Sequence, residues 1–370
     1  QTGTLVIVPA AGTTHAMSGI GEAYLDGIPM LVISGGIRRD TGRHYQLHDV
    51  DQGRVLDGLI KQYTLVERHE DVIPSIYHAY RTAHEGEPGP VFVEIPAEIQ
   101  LFRGAVDDLP SFDARTGPAL SIDDDAIEQA VDLLTEAEQP GLYVGWGAVD
   151  ATESLKALAE HLDAPVATTL QGLSAFPHNH PLHTGMGMGE YSVPAAANAF
   201  RDIDCLLAIG TRFSEIPTGS YAIHPPETLV HLDINPAVFS ANYPASHTLE
   251  GNARNTLPAL LEAVQKLRPE PAHSGIRGTI ATDKQDYHDQ WRQHDSGDRV
   301  NPELFFSALR NRLADDAIVI ADDGNHTFLA AELMPIHGPR GFFSPSDFNA
   351  MGYCVPAAIG AKQARPDVDV

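Results

Sequence analysis

Short apolar runs alternate with amphipathic stretches along the chain, and Gly or Pro bounds most of the runs. Thr4–Val8 predicts a strand and Thr13–Leu25 a helix, followed by a strand at Pro29–Ser34 closed by Gly35 and Gly36. Asp71–His84 has helical spacing, and Gly89-Pro90 opens the apolar run Val91–Ile95. Arg103–Asp123 mixes Pro, Gly, Asp and Ser without a period, which marks a linker. The alternation then resumes with helix Ala126–Glu136, strand Gly141–Gly145, helix Glu153–His161 and strand Pro165–Thr169. Strands Asp204–Gly210 and Thr228–Ile234 and helix Ala253–Leu267 continue it. The polar stretch Arg268–Asp298 reads as a second linker. Beyond it come helix Pro302–Leu313, strand Ala317–Ala321, the turn Asp322-Asp323-Gly324 and a helix through Glu332. The loop Pro335–Phe348 leads to helix Val355–Ala364.

Repeated strand–helix alternation predicts an α/β fold with mostly parallel sheets. Three consecutive parallel-sheet α/β domains are expected, at 1–105, 123–268 and 300–370, joined by linkers 106–122 and 269–299. The first set opens directly on a strand and the last holds too few strands to close a sheet, so the outer two are expected to be incomplete.

Composition narrows the function. Of 370 residues, 43% are apolar and 20% charged, which excludes global disorder. No apolar run approaches the ~18 residues of a membrane helix, and the N-terminal residues lack the basic start of a signal peptide. The 24 basic residues face 50 acidic ones, a net charge of -26, so nucleic acid and anionic membranes are poor partners. Cys205 and Cys354 offer neither a disulfide framework nor zinc spacing, in keeping with a reducing, cytoplasmic setting. His44 and His48, and His178, His180 and His183, lack the Glu or Cys that would complete a zinc pattern. The His178–His183 stretch, in a Pro-rich loop, reads as solvated or loop-packing.

Several turns carry donors suited to an anion. Asp323-Gly324-Asn325-His326 sits between a strand and a helix, where backbone N–H groups point outward. A plain helix-capping turn accounts for the same residues. Gly12-Thr13-Thr14 starts a helix after a strand, and an N-cap by Thr13 is the simple alternative. Gly145-Trp146-Gly147 follows a strand, a weak dinucleotide signal by itself. Met351, taken alone, reads as ordinary core.

Five segments, in order, carry a resemblance. They are Gly12-Thr13-Thr14-His15-Ala16-Met17-Ser18-Gly19-Ile20 with Glu22-Ala23-Tyr24-Leu25-Asp26-Gly27-Ile28-Pro29, then Gly89-Pro90-Val91-Phe92-Val93-Glu94-Ile95-Pro96, then Gly210-Thr211-Arg212-Phe213. Asp323-Gly324-Asn325-His326 and Ala350-Met351-Gly352-Tyr353-Cys354-Val355-Pro356-Ala357-Ala358-Ile359-Gly360-Ala361 complete the set. Together the chain resembles thiamine-diphosphate-dependent enzymes of the acetolactate synthase type over nearly its whole length. That resemblance implies a pyrimidine-binding domain, a nucleotide-binding-like middle domain and a diphosphate-binding domain. It implies that Gly324, Asn325 and His326 hold the coenzyme's diphosphate, with Asn325 where relatives have Gln. Backbone groups around Asn349 would then meet the aminopyrimidine, and Met351 would prop the coenzyme into its bent form. Gly12 and Gln46 match segments that face the active centre, although a surface-loop amide explains Gln46 equally.

Gly185-Met186-Gly187 reads as a flexible loop, and Gly145, Gly147, Thr169, Gly185, Gly210, Arg212 and Asp233 match segments that hold FAD in flavin-containing relatives. An empty or ADP-like site is the other reading, and Ile216 stands where flavin relatives have a second Arg. The resemblance further implies Mg²⁺, with ligands falling after Val370, and a catalytic Glu falling before Gln1. Glu22 and Glu94 match other positions. No metal ligands are expected within the chain, which is expected to be inactive alone. The implied activity is decarboxylation of a 2-oxo acid such as pyruvate and joining of what remains to a second carbonyl compound, in branched-chain amino-acid biosynthesis. A homodimer or homotetramer is implied, since the family's active site forms between subunits. A 2-oxo acid decarboxylase, a sulfoacetaldehyde acetyltransferase and an acyl-CoA lyase share the scaffold. A non-catalytic nucleotide-binding protein is the alternative of another class.

Overall fold

A computed structural model describes residues 2–113 and 122–370. Within the expected linker 106–122, residues 114–121 lie outside the described residues, as does Gln1. The chain forms two compact units. One holds residues 2–113 with Asp347–Ala350, and the other holds residues 122–346 with Met351–Val370. The expected middle and last domains therefore share one unit.

In the first unit the order is β1 (Gly3–Ile7), α1 (Ala11–Leu25), β2 (Met30–Gly36), α2 (Gln52–Leu56), β3 (Gln62–Leu65), α3 (Val72–His84), β4 (Pro90–Pro96) and α4 (Ala97–Leu101). Its sheet is parallel throughout, in the order β1-β2-β4-β3. The strand β2 runs through Gly35 and Gly36, which were expected to close it, because both pair with β4. Val32, Phe92 and Ile20 are fully buried in the core.

The second unit begins with α5 (Asp124–Glu136), β5 (Pro140–Val144), α6 (Thr152–Leu162), β6 (Val166–Thr168), β7 (His183–Met186) and α7 (Pro194–Ala199). It continues with β8 (Cys205–Ile209), β9 (Thr228–Asp233), β10 (His247–Glu250), α8 (Ala253–Leu267) and α9 (Ile276–Gln293). Last come α10 (Pro302–Arg310), β11 (Val319–Ile320), α11 (Asn325–Leu333), β12 (Phe342–Phe343) and α12 (Cys354–Ala364). Six parallel strands lie in the order β10-β9-β8-β5-β6-β7. Every residue of β5 and β8 is buried, the signature of parallel strands covered on both faces. Side-chain caps set the helix starts: Asp123 accepts from the N–H of Ala126, Asn252 from Arg254 and Asn301 from Leu304.

Three expectations are corrected here. The polar stretch 269–299 is not structureless, since most of it is the helix α9. Its sequence lacks an apolar stripe, and Ile280 is its sole buried residue among those described. Polar bonds hold it instead. Asp163, at the end of α6, accepts from the N–H and hydroxyl of Ser274 and from Arg277 Nε at 2.7 Å. Asn198 Nδ2 donates to Asp283 at 2.8 Å. Gly185 and Met186 were expected in a flexible loop but lie in β7, paired with Ala167 and Thr168. His178 and His183 are not solvated: they are 9% and 2% exposed, and their rings stack at 4.1 Å. Burial pushes the His178 imidazole down to about 3 and His183 well below the ordinary range.

Candidate functional site

The turn between β11 and α11 is open. Gly324 has φ 151°, a region side-chain-bearing residues rarely adopt. No side chain caps α11, so a capped turn does not explain these residues. The helix start keeps its partial positive charge free, with Asn325 and His326 exposed beside it. This is a chemistry suited to a phosphate group.

Asp322 fixes the turn to a second stretch. Its Oδ1 accepts from the N–H of Asp323 at 2.9 Å and of Gly352 at 2.8 Å, and its Oδ2 accepts from the N–H of Cys354 at 3.1 Å. Burial alone would push this carboxyl up, but the bonds from the Cys354 N–H and thiol, then from Gly352 and Asp323, outweigh it and bring it down to about 2. Met351 directly precedes this clamp. Its side chain is 84% exposed, which rules out the core reading. The helix α12 that follows has no buried residue and exposes Val355 and Ile359.

In the first unit, α1 organises the segment 347–350. Gly21 leaves room for the Phe348 ring, which a Cβ there would meet at 2.5 Å. Glu22, 3% exposed, accepts from the N–H of Ala350 at 3.2 Å. Burial raises its carboxyl pKa, and the N–H groups of Ala350 and Phe348 offset part of that rise. Asn349 adopts φ 57°, a conformation Asn tolerates better than most residues.

Gly12 lies inside α1, whose start is Ala10 at φ 58° with no side-chain cap. Thr13 is therefore not the cap. It donates to Oε1 of the buried Gln52 at 2.6 Å. Gln52 also accepts from Ser34 Oγ at 3.2 Å and the Ala10 N–H at 3.3 Å, and donates to the Gly35 carbonyl at 3.0 Å. Gln46 is spent on its own loop, donating to the carbonyls of Arg38 and Arg43 at 2.8 and 3.3 Å.

The nucleotide candidates divide. Gly145, Thr169, Gly210, Arg212 and Asp233 all lie at or just past the carboxyl ends of β5, β6, β8 and β9. There β5 separates β6 from β8, a topological switch point of the sheet. Yet the glycines are consumed by backbone packing. A Cβ on Gly145 would lie 2.1 Å from the Gly210 carbonyl oxygen, and one on Gly210 would lie 2.5 Å from Gly147 Cα. The Gly147 N–H donates to the Gly210 carbonyl at 3.1 Å. Thr169 accepts from the Gly172 N–H at 2.9 Å, and Asp233 from the Asn235 N–H at 2.9 Å. Gly185 adopts φ 124° beside Val193.

Comparison with known proteins bears on this geometry. The family of the thiamine pyrophosphate enzymes matches in three parts: the N-terminal TPP binding domain at residues 1–55, the central domain at 127–260 and the C-terminal TPP binding domain at 322–370. The chain belongs to the thiamine pyrophosphate enzymes. It is 32% identical to the acetolactate synthase large subunit of Corynebacterium glutamicum, matching 100% of this chain and 60% of that protein. It is 31% identical to the acetolactate synthase isozyme 2 large subunit of Escherichia coli, with 99% of this chain and 65% of that protein covered. A 29% identity to the probable acetolactate synthase large subunit of Methanocaldococcus jannaschii covers 100% and 64%. The chain thus spans under two thirds of the length of these relatives.

The residues present fit thiamine diphosphate. The uncapped start of α11 suits its anionic end, and the exposed, clamped Met351 suits its apolar rings. They do not supply a metal site: among the described residues, no group of three or more His, Cys, Asp or Glu side chains converges. No described helix is long and apolar enough to cross a membrane. Sequence reading missed Asp322, Glu22 and Gln52. Asp322 was legible only as a turn residue, and each of the three has a partner 30 or more residues away, in Gly352, Ala350 and Thr13.

Proposed function

We propose that the protein is a thiamine-diphosphate-dependent carboligase resembling acetolactate synthase. It would decarboxylate a 2-oxo acid such as pyruvate and join what remains to a second carbonyl compound, on the route to branched-chain amino acids. The observation that carries this reading is the Asp322 clamp, which ties the anion-ready turn to the residues just after Met351. The coenzyme, when bound, supplies the carbanion chemistry. The chain's part is binding and orientation. Gly324, Asn325 and His326 donate to the diphosphate, Met351 props the rings, and Asn349 presents its backbone to the pyrimidine. Gly12 belongs to the same set by the resemblance of its segment.

Flavin is the finer part of the reading. Arg212 and Asp233 at the switch point support it, and flavin absorbance of the purified protein tests it. Magnesium, two or more subunits and a reducing, cytoplasmic setting belong to the same proposal. The bare face of α12 supports a partner subunit, and the free thiols of Cys205 and Cys354 support the setting. Calorimetry with thiamine diphosphate and Mg²⁺ is the direct test, and absence of binding at millimolar coenzyme rejects the proposal. Product analysis with pyruvate then separates a carboligase, which yields a C–C bonded product, from a decarboxylase, which yields the free aldehyde.

A further inference from the structure

The second unit holds a cavity of about 220 Å³ whose lining includes β7 and the helices α9 and α11. It is lined by the carboxyl end of α11 rather than by the turn that starts this helix, and none of the residues assigned above to thiamine diphosphate lines it. Its wall carries an unusual cation. Lys284 Nζ donates to the carbonyls of His178 and His183 at 2.9 and 3.3 Å and to His183 Nδ1 at 3.3 Å. Among the described residues all its bonds go to neutral groups and no carboxylate pairs with it. An ammonium desolvated without a counter-ion is costly, and burial pushes it down to about 8.

The histidine beside it has a donor to spare. Because His183 Nδ1 faces the ammonium, it must accept, so the ring's single proton sits on Nε2. That Nε2 is buried and has no partner. His183 is 2% exposed and lines the cavity. A buried N–H with no acceptor calls for one. Glu332, also on the wall, is engaged by the Tyr287 hydroxyl at 2.5 Å. Val193 and Leu333 make part of the wall apolar. The site thus offers one unpaired positive charge, one free donor and a small hydrocarbon surface.

We propose that this cavity binds a small aliphatic carboxylate, with its anionic head against Lys284 and His183 and its hydrocarbon body against Val193 and Leu333. The chemistry is that of a short-chain acid, and the ligand is held independently of the coenzyme.

The test uses the purified protein without coenzyme, so its outcome is separate from that of the carboligase reading. Thermal unfolding is followed while isobutyrate is added, with isobutanol and sodium chloride as the neutral and inorganic controls. Isobutyrate is expected to raise the Tm by about 2 °C or more and to saturate, and the controls are not. The Lys284→Met variant is expected to lose the response. An equal response to isobutanol or chloride, or a retained response in Lys284→Met, overturns the proposal. Should that variant fail to fold, the wild type decides through ¹⁵N-histidine NMR. The His183 Nε2–H resonance is expected to shift with isobutyrate and to stay put with isobutanol; a resonance unmoved by isobutyrate overturns it.

Discussion

Two sets of glycine-marked turns in the second unit invite the same reading from sequence and behave in opposite ways. At Gly145, Gly147 and Gly210 the missing side chains are replaced by other backbone, with Gly210 pressed against Gly147. At Gly324 a Cβ would meet a side chain rather than backbone, the ring of the exposed His326 at 2.9 Å, and the helix start is uncapped with Asn325 exposed beside it. A glycine after a strand therefore signals close approach, but of what is decided by the rest of the fold. The first set holds two strand ends together, while the second leaves an uncapped helix start, which is what the proposed diphosphate site needs.

That contrast can be broken by substitution. Gly210→Ala places a methyl on Gly147 at a positive φ, with no flexible neighbour to yield. Its expected cost is about 3 kcal/mol or more, read by chemical denaturation. If the variant keeps wild-type stability, the packing account of these glycines fails.

Acid separates the two regions as well. His178 in the packed region has a folded pKa of about 3 against an ordinary 6.5. Between those values the unfolded chain takes up a proton that the folded one refuses, so stability is full above 6.5 and declines as pH falls toward 3. Asp322 has the opposite chemistry but the same sign. Its folded value of about 2 lies below the ordinary 3.8, so its contribution persists above 3.8 and fades as pH falls toward 2. Stability against pH is expected to show the histidine decline first, and a His178→Gln variant should reduce it, leaving the part that His183 contributes. A flat profile between pH 7 and 4.5 in the wild type would contradict the burial of these rings.

Gly324→Ala is expected to cost about 1–3 kcal/mol, since φ 151° is strained for alanine. Coenzyme affinity measured by calorimetry should fall with it. Asp322→Asn leaves one acceptor oxygen and loses the charge, at a cost of about 1–2 kcal/mol in stability. Its coenzyme Kd is expected to rise about tenfold, which is about 1.4 kcal/mol. The smallest change in stability belongs to Met351→Ala, within about 0.5 kcal/mol, because the side chain is exposed. Its kcat should nevertheless drop. Unchanged turnover in that variant would remove the prop from the mechanism.

The alternation of strands and helices was legible because β5 and β8 are continuous apolar runs and α5 and α8 carry apolar stripes. The helix α9 was not, because its hold on the fold is polar and comes from partners such as Asp163, more than 100 residues away. Of the site, Gly324, Asn325, His326 and Met351 could be picked out by motif. Asp322, Glu22 and Gln52 could not, since an acidic or amide side chain reveals its task only once distant backbone N–H groups arrive around it. Gln46 drew attention by its neighbours, while the buried amide six positions on did the structural work.

One carboxylate joins residue 323 to residues 352 and 354. A shift at either stretch must pull on the other or break that joint. The entry to α12 and the start of α11 are thus joined as a single jaw, and the coenzyme proposed to span them would find its two contacts already spaced rather than having to draw them together.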